Sequence, residues 1–167
     1  FQELVKSKLL FNESLNVEAS ILAKTNSIDE IFQNAKINFN IFKGKINFDK
    51  TVFINDNIGL LELSNSNLFL KNNELILNTN ISIIIKDSNS LFSFLNTNKK
   101  SRKVIKNVLI NLDYNFLSNQ IKFNKVKVDN NEVSDQFLNI IEAFNDNDTN
   151  NIVKSRRLIN KLFDIYD

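Results

Sequence analysis

The amino-acid sequence predicts a mainly β fold with C-terminal α-helices, in which an antiparallel meander gives way to short amphipathic helices. Three observations carry this reading. Apolar residues alternate with polar ones at period two through the first three quarters of the chain. Residues that favour tight turns separate the alternating runs, which are roughly six to ten residues long. In the last quarter the apolar spacing becomes that of a helix. The boundary falls at residue 131, with a β-sheet region over 1–131 and a helical region over 132–167.

Taken in order, the first alternating run is Leu15, Val17, Ala19, Ile21 and Ala23. Ile37, Phe39 and Ile41 follow, then Ile46 with Phe48, Val52 with Ile54, and Leu61 with Leu63. Lys43-Gly44 separates two copies of one tetrapeptide, Lys36–Phe39 and Lys45–Phe48, as a hairpin would. Asp56-Asn57 and Asn65-Ser66-Asn67 are further turn candidates. Asn72-Asn73 lies between Leu68-Phe69-Leu70 and Leu75-Ile76-Leu77, and Asn tolerates the positive φ of a tight primed turn. The longest run is Leu75, Leu77, Thr79, Ile81, Ile83 and Ile85. Its apolar members are expected to point together, with Ile76, Asn78, Asn80 and Ser82 on the other side. Val108, Ile110, Leu112, Tyr114 and Phe116 repeat the pattern. Ile121 and Phe123, joined by Val126 and Val128, close it between turns at Ser118-Asn119 and Asp129–Asn131.

Helical spacing appears in three places. Ser27 with Glu30 fits a capping box before a turn through Ile31 and Phe32. Asp87 or Ser88 is placed to cap a short helix carrying Leu91, Phe92 and Leu95. Val133, Phe137, Ile140, Ile141 and Phe144 share one helical face. After the polar break Asn145–Asp148, Ile152, Ile159, Leu162, Phe163 and Tyr166 share another.

Composition excludes more than it suggests. Asn, Ile, Lys and Phe make up 85 of 167 residues, a bias that follows AT-rich codons rather than function. His and Cys are absent, so there is no imidazole base, thiolate nucleophile, disulfide or zinc site of the usual kinds. Gly44 and Gly59 are the only glycines, too few for a phosphate-cradling loop. The net charge of +2 is too balanced for a dedicated nucleic-acid surface. The apolar runs are far shorter than the roughly 20 residues of a membrane-spanning helix. The absence of cysteine is compatible with any compartment. Phe1 at the start and the lack of any Met lead us to expect a piece of a longer protein.

Each constellation has two readings at this point. The alternating stripe is either a sheet buried on its own helices or an open, lipid-facing groove, and the helices are too few to cap about eight strands fully. Lys99, Lys100, Arg102, Lys103 and Lys106 form either a solvated edge or a site for anionic head groups. No aromatic residues interleave with them, which argues against nucleic acid. Asp146 and Asp148 recur as in the start of a calcium loop, but the Gly and the distant Glu of an EF-hand are missing, and a polar linker explains them. Glu142 and Asp146 lie at helical spacing with nothing converging on them. No catalytic residue, metal ligand or cofactor is assigned.

Certain strand sequences resemble a known family. Gly44–Asp49 (GKINFD) and Gly59–Ser64 (GLLELS) are similar to the C-terminal region of AsmA-like (AsmA/TamB-type) proteins. Ile83–Asp87, Leu112–Phe116 and Val126–Asn130 resemble the strands that follow there, so the likeness spans about residues 36 to 131 and more loosely the helical tail. The family's N-terminal membrane anchor and long central β-region have no counterpart in this stretch. The resemblance implies a curved antiparallel sheet forming an apolar trough, capped by two or three short helices. It implies a periplasmic protein anchored to the inner membrane through another part of its chain, conducting phospholipid and supporting outer-membrane biogenesis without chemistry. The lipid-facing candidates are then Ile37, Phe39, Ile41, Ile46, Phe48, Leu61, Leu63, Leu75, Leu77, Ile81, Ile83, Ile85, Ile110, Leu112 and Tyr114. Lys99, Lys100, Arg102 and Lys103 are the head-group candidates. The expected partner is phospholipid or another acyl lipid, with no nucleic acid. The alternative is a structural domain whose sheet packs on its own helices or on a partner chain.

Overall fold

The computed structural model of the protein describes residues 7, 9–25, 31–142 and 152–166. The strands are β1 (Asn16–Lys24), β2 (Asn34–Phe42), β3 (Lys45–Asn47), β4 (Val52–Asn55), β5 (Gly59–Lys71), β6 (Glu74–Ile85), β7 (Asn107–Asn115), β8 (Gln120–Val128) and β9 (Asn131–Glu132). They form one antiparallel sheet in which neighbours in sequence are neighbours in space. β3 and β4 both lie between β2 and β5, two halves of one interrupted strand. That break makes nine strands of the eight expected. Three helices, α1 (Ser88–Leu95), α2 (Asp135–Glu142) and α3 (Ile152–Ile165), complete the described structure with short 3-10 turns at Leu9–Phe11 and Lys99–Ser101.

Hairpin chemistry explains the meander. At Lys43-Gly44, Asn72-Asn73 and Asp129-Asn130 both central residues have positive φ, as the turn that matches strand twist requires. Among the described residues Asn occupies six of the nine non-glycine positions with positive φ, doing there what Gly does in most chains. Gly59 is irreplaceable in another way. Its φ is +147°, and a Cβ there would stand 2.0 Å from the carbonyl oxygen of Ile84 on the neighbouring strand.

The interruption between β3 and β4 is held by one carboxylate. Asp49 accepts hydrogen bonds from the Ser66 amide and the Ser66 hydroxyl, both at 2.7 Å, and Phe48 N–H donates to the same hydroxyl at 2.6 Å. Ser66 belongs to a bulge in β5, where Asn65 takes φ +49° and the pairing with β6 skips from Ser64 to Asn67. Thr79 of β6 sits at that skip and is 2% exposed. The pairing of β7 with β8 shifts at Asn111/Leu112, and Leu112 is the partner of Thr79.

The reverse side of the sheet carries a polar lattice. Asn78 donates to Asp113, Asn111 to Asn80, Asn124 to Asp113 and Asn115 to Glu74. Two apolar clusters lie on the other side. In one, Leu10, Phe11 and Leu15 cover Ile41, Ile46, Leu68 and Leu75. In the other, the three helices pack Phe92, Leu95, Phe137, Ile141 and Phe163 against Val126 and Val128. α2 carries Phe137, Ile140 and Ile141 and α3 carries Ile159, Leu162 and Phe163, as their spacing predicts, while Val133 lies before α2.

Several expectations are corrected. Ile31 and Phe32 form a bend rather than a helical turn, and the Phe32 ring packs 5.5 Å from Phe53. In β4 it is Phe53, paired with Leu61, that shares the side of the helices, so Val52 and Ile54 face the other way. The break at Asp49 causes this, because it reverses the side on which alternate residues fall. All nine residues of β1 are exposed, so its alternation buries nothing. Ser27, Glu30, Phe144 and Asn145–Asp148 lie outside the described residues. On β6, which carries the longest alternating run, Leu75 is buried while Ile84 is 48% exposed, in keeping with the expected facing.

Asp87 caps α1, accepting from the amides of Asn89 and Ser90 and from the Ser90 hydroxyl. The Ser90 hydroxyl first, and then the two amides, hold its carboxyl below the usual 3.8. A carboxylate with a depressed folded-state pKa stabilises the fold above its unfolded value and loses that contribution as pH falls through the folded value. Asp87→Ala is therefore expected to lower stability at pH 7 and to narrow the gap from wild type as pH falls below 3.8, measured by urea unfolding across pH. Asp49→Ala should cost about 2–3 kcal/mol in the same assay at neutral pH, because it strands two donors of a buried serine.

Candidate functional site

A cavity of about 270 Å³ lies between the sheet and the helices. Its floor is the side of β5–β8 that carries Leu61, Ile83, Ile85, Val108, Ile110 and Val126. The register sets these together: Leu61 pairs with Ile83, Ile83 with Val108, and Ile110 with Val126. Its roof is Leu91 and Leu95 from α1, Phe137 and Ile141 from α2, and Ile159, Leu162 and Phe163 from α3. Ile31, Phe32 and Ile58 form its margin beside β4. The volume falls just below the usual range for small-molecule sites.

The walls are almost entirely carbon. Asn55 reaches the cavity, but its amide donates to the Ile31 carbonyl at 2.7 Å and its oxygen accepts from the amides of Asn57 and Ile58. It therefore offers a ligand nothing. Tyr166 is the one titratable group on the wall among the described residues. Burial, and then the charge of Asp129, push its phenol above the usual 10.0, so it stays protonated at neutral pH. Among the described residues no nucleophile or acid–base pair lines the cavity, and no group of three His, Cys, Asp or Glu could take a metal. Such a site can hold apolar matter by exclusion from water, and little else.

The expected lipid-facing residues divide into three sets, with Leu112 and Tyr114 apart from them. Leu61, Ile83, Ile85 and Ile110 line the cavity. Ile41, Ile46 and Leu75 are buried in the second cluster, with Phe39, Phe48 and Leu77 packed against it. Phe39 and Phe48 stand 5.5 Å apart, ring to ring. Ile37, Leu63 and Ile81 are half-buried and belong to neither cluster nor cavity. Leu112 is buried at the register shift. Tyr114 stacks edge-on against Phe116 at 4.7 Å and donates its hydroxyl to Asn119, away from the cavity. The roof residues belong to the helices predicted as cover, Phe32 is predicted in a helical turn, and Ile58 carries no signal beyond being apolar.

The basic run divides as well. Lys99 and Lys100 are exposed on the second 3-10 turn. Arg102 is a packing residue, with its guanidinium 5.6 Å from the Phe92 ring and its Nε donating to the Thr97 carbonyl. Lys103 is half-buried. No helix among the described residues is long and apolar enough to cross a membrane.

Leu95, 2% exposed, anchors the roof, and Leu95→Ala should cost about 2–5 kcal/mol while enlarging the cavity, read from denaturant unfolding. No family model, curated protein or solved structure matches this chain.

Proposed function

We propose that this chain is a non-enzymatic lipid-binding module whose cavity takes an acyl chain. The observation that carries the reading is a carbon-walled cavity of about 270 Å³ with its polar groups satisfied or protonated. A wall of this kind stays dry and accepts apolar guests. Leu63 and Ile81, paired with each other, continue along β5 and β6 from Leu61 and Ile83, and both are only half-covered. This supports a longer apolar path on the same side of the sheet, the trough of the conducting reading. In that reading the chain is the C-terminal part of an AsmA-like periplasmic protein, anchored to the inner membrane elsewhere, that moves phospholipid between membranes. The alternative, an interaction domain, draws on a different observation: β1 is exposed on both sides and at its outer edge, where a strand of another chain could pair.

The test is a pair of substitutions on β6 with a lipid readout. A carboxylate at Ile83 would sit among carbon atoms and oppose an acyl chain, whereas one at Asn80 would lie on the polar side. Ile83→Asp should weaken binding of a fluorescent fatty acid by at least roughly 30-fold, from the 2–7 kcal/mol cost of an unpaired polar group, while Asn80→Asp changes it little. Because a buried carboxylate can also unfold a domain, a photo-crosslinker at position 83 provides the control in an otherwise unchanged chain. Lipid adducts from position 83 and none from position 80 are expected. Capture of protein alone at both sites would replace this reading with the interaction domain.

A further inference from the structure

We infer that the helical end of the domain is a docking face for an anionic lipid bilayer, a conclusion that rests on the lipid-binding reading above and gives it a membrane partner. The starting point is where the charge lies. Nine of the 21 basic residues and one of the 19 acidic ones fall in residues 99–106 and 152–166. These two stretches carry +8 and the remainder of the chain −6, within an overall +2. A near-neutral protein is thus strongly polarised between its parts.

The fold brings the two stretches together. Asn160 of α3 accepts from the Thr97 hydroxyl at 2.6 Å and donates to the Leu95 carbonyl at 3.0 Å, tying the helix to the end of α1 just before the basic 3-10 turn. Two of the cations are spent on packing and fix the arrangement. Arg102 lies over Phe92, and Arg156 lies 4.8 Å over Phe94. Lys99, Lys100, Arg157 and Lys161 remain exposed on these two stretches, with Asp164 as their one carboxylate, while Lys106 borders Ser82, Ile84 and Leu109 on the reverse side of the sheet. Exposed aliphatic side chains stand among them: Val104 is 70% exposed and Val153 50%. Cations interspersed with exposed aliphatic groups suit the interface of a bilayer, where phosphates meet hydrocarbon. Single-stranded nucleic acid would instead need open aromatic faces for stacking, and the two phenylalanines here are already covered by arginines. The inner side of the same helical layer roofs the cavity, so docking in this way places the acyl-chain site directly over its source.

The experiment is sedimentation of the whole chain with phosphatidylcholine vesicles, with and without a third of phosphatidylglycerol. Binding should require the anionic lipid and weaken sharply as salt rises beyond the screening length of physiological buffer. Each exposed cation at the surface is worth about a fivefold change in affinity. The triple variant K99Q/K100Q/R157Q should therefore bind roughly 100-fold more weakly with an unchanged urea midpoint. K43Q/K45Q/K71Q alters net charge equally at the opposite end of the sheet and should stay within about twofold of wild type. Equal loss in both triples, equal binding to neutral vesicles, or tighter binding to single-stranded DNA than to anionic vesicles would overturn the inference. Fatty-acid binding measured without vesicles separates the two proposals. Failure there with patch-dependent vesicle binding removes the cavity reading and leaves this one standing.

Discussion

The contact between Asp49 and Ser66 holds the break that keeps the apolar residues of β3, β4 and β5 on one side of the sheet. Strand residues alternate sides, so the even-numbered Ile46 and Phe48 would face away from the odd-numbered Phe53 in an unbroken strand. In β5 the same conflict separates Leu61 and Leu63 from Leu68 and Leu70, and in β8 it separates Ile121 and Phe123 from Val126 and Val128. All are nevertheless brought to one side, because β3/β4, β5 and β8 each contain a break or bulge that reverses the alternation. The breaks fall in one row across the sheet, through Asp49, Ser66, Thr79 and Leu112, and a carboxylate with two short hydrogen bonds holds the row at its start. Without these breaks Ile46, Leu68 and Leu70 would face away from Leu75 and Leu77 of β6, which itself runs unbroken.

Cover follows from this. The helices arise from the connections at one end, between β6 and β7 and after β9, and therefore pack over that end. The opposite end is closed by the short turn Leu9–Phe11 and by Leu15. Between the two covers lie Ile37, Leu63 and Ile81, half-exposed on the same side, and beside them the cavity. The cavity is thus a consequence of how little helix is available, since about ten apolar helical positions cannot fill the space above so many strands.

The strands, hairpins and helices were legible because each rests on local chemistry: alternation, Asn or Gly at positive φ, and Asp87 as a cap. The parity change is also present in the sequence, as in Leu61 and Leu63 against Leu68 and Leu70, but its meaning depends on which strand lies alongside. That is why Val52 and Ile54 were placed on the wrong side. The exposure of β1 was not legible, since alternation reports the periodicity of a strand and not whether anything covers it. Within the site, Leu61, Ile83, Ile85 and Ile110 were found from the stripe alone. The position of Arg102 over Phe92 was not, because a contact between side chains ten residues apart in the sequence leaves no periodic trace.

The asparagines at left-handed positions have an evolutionary consequence. In most chains those sites would be glycine, and a lineage whose mutation pressure removes glycine would lose its hairpins one by one. Here Asn65, Asn72, Asn73, Asn96, Asn119 and Asn130 hold the same backbone conformation at modest steric cost. Other asparagines cross-link the polar side of the sheet. One residue type therefore serves as both turn former and strand cross-link, and compositional drift toward it can accumulate without selection against the fold. Gly59 marks the limit of that tolerance, because no side chain fits there.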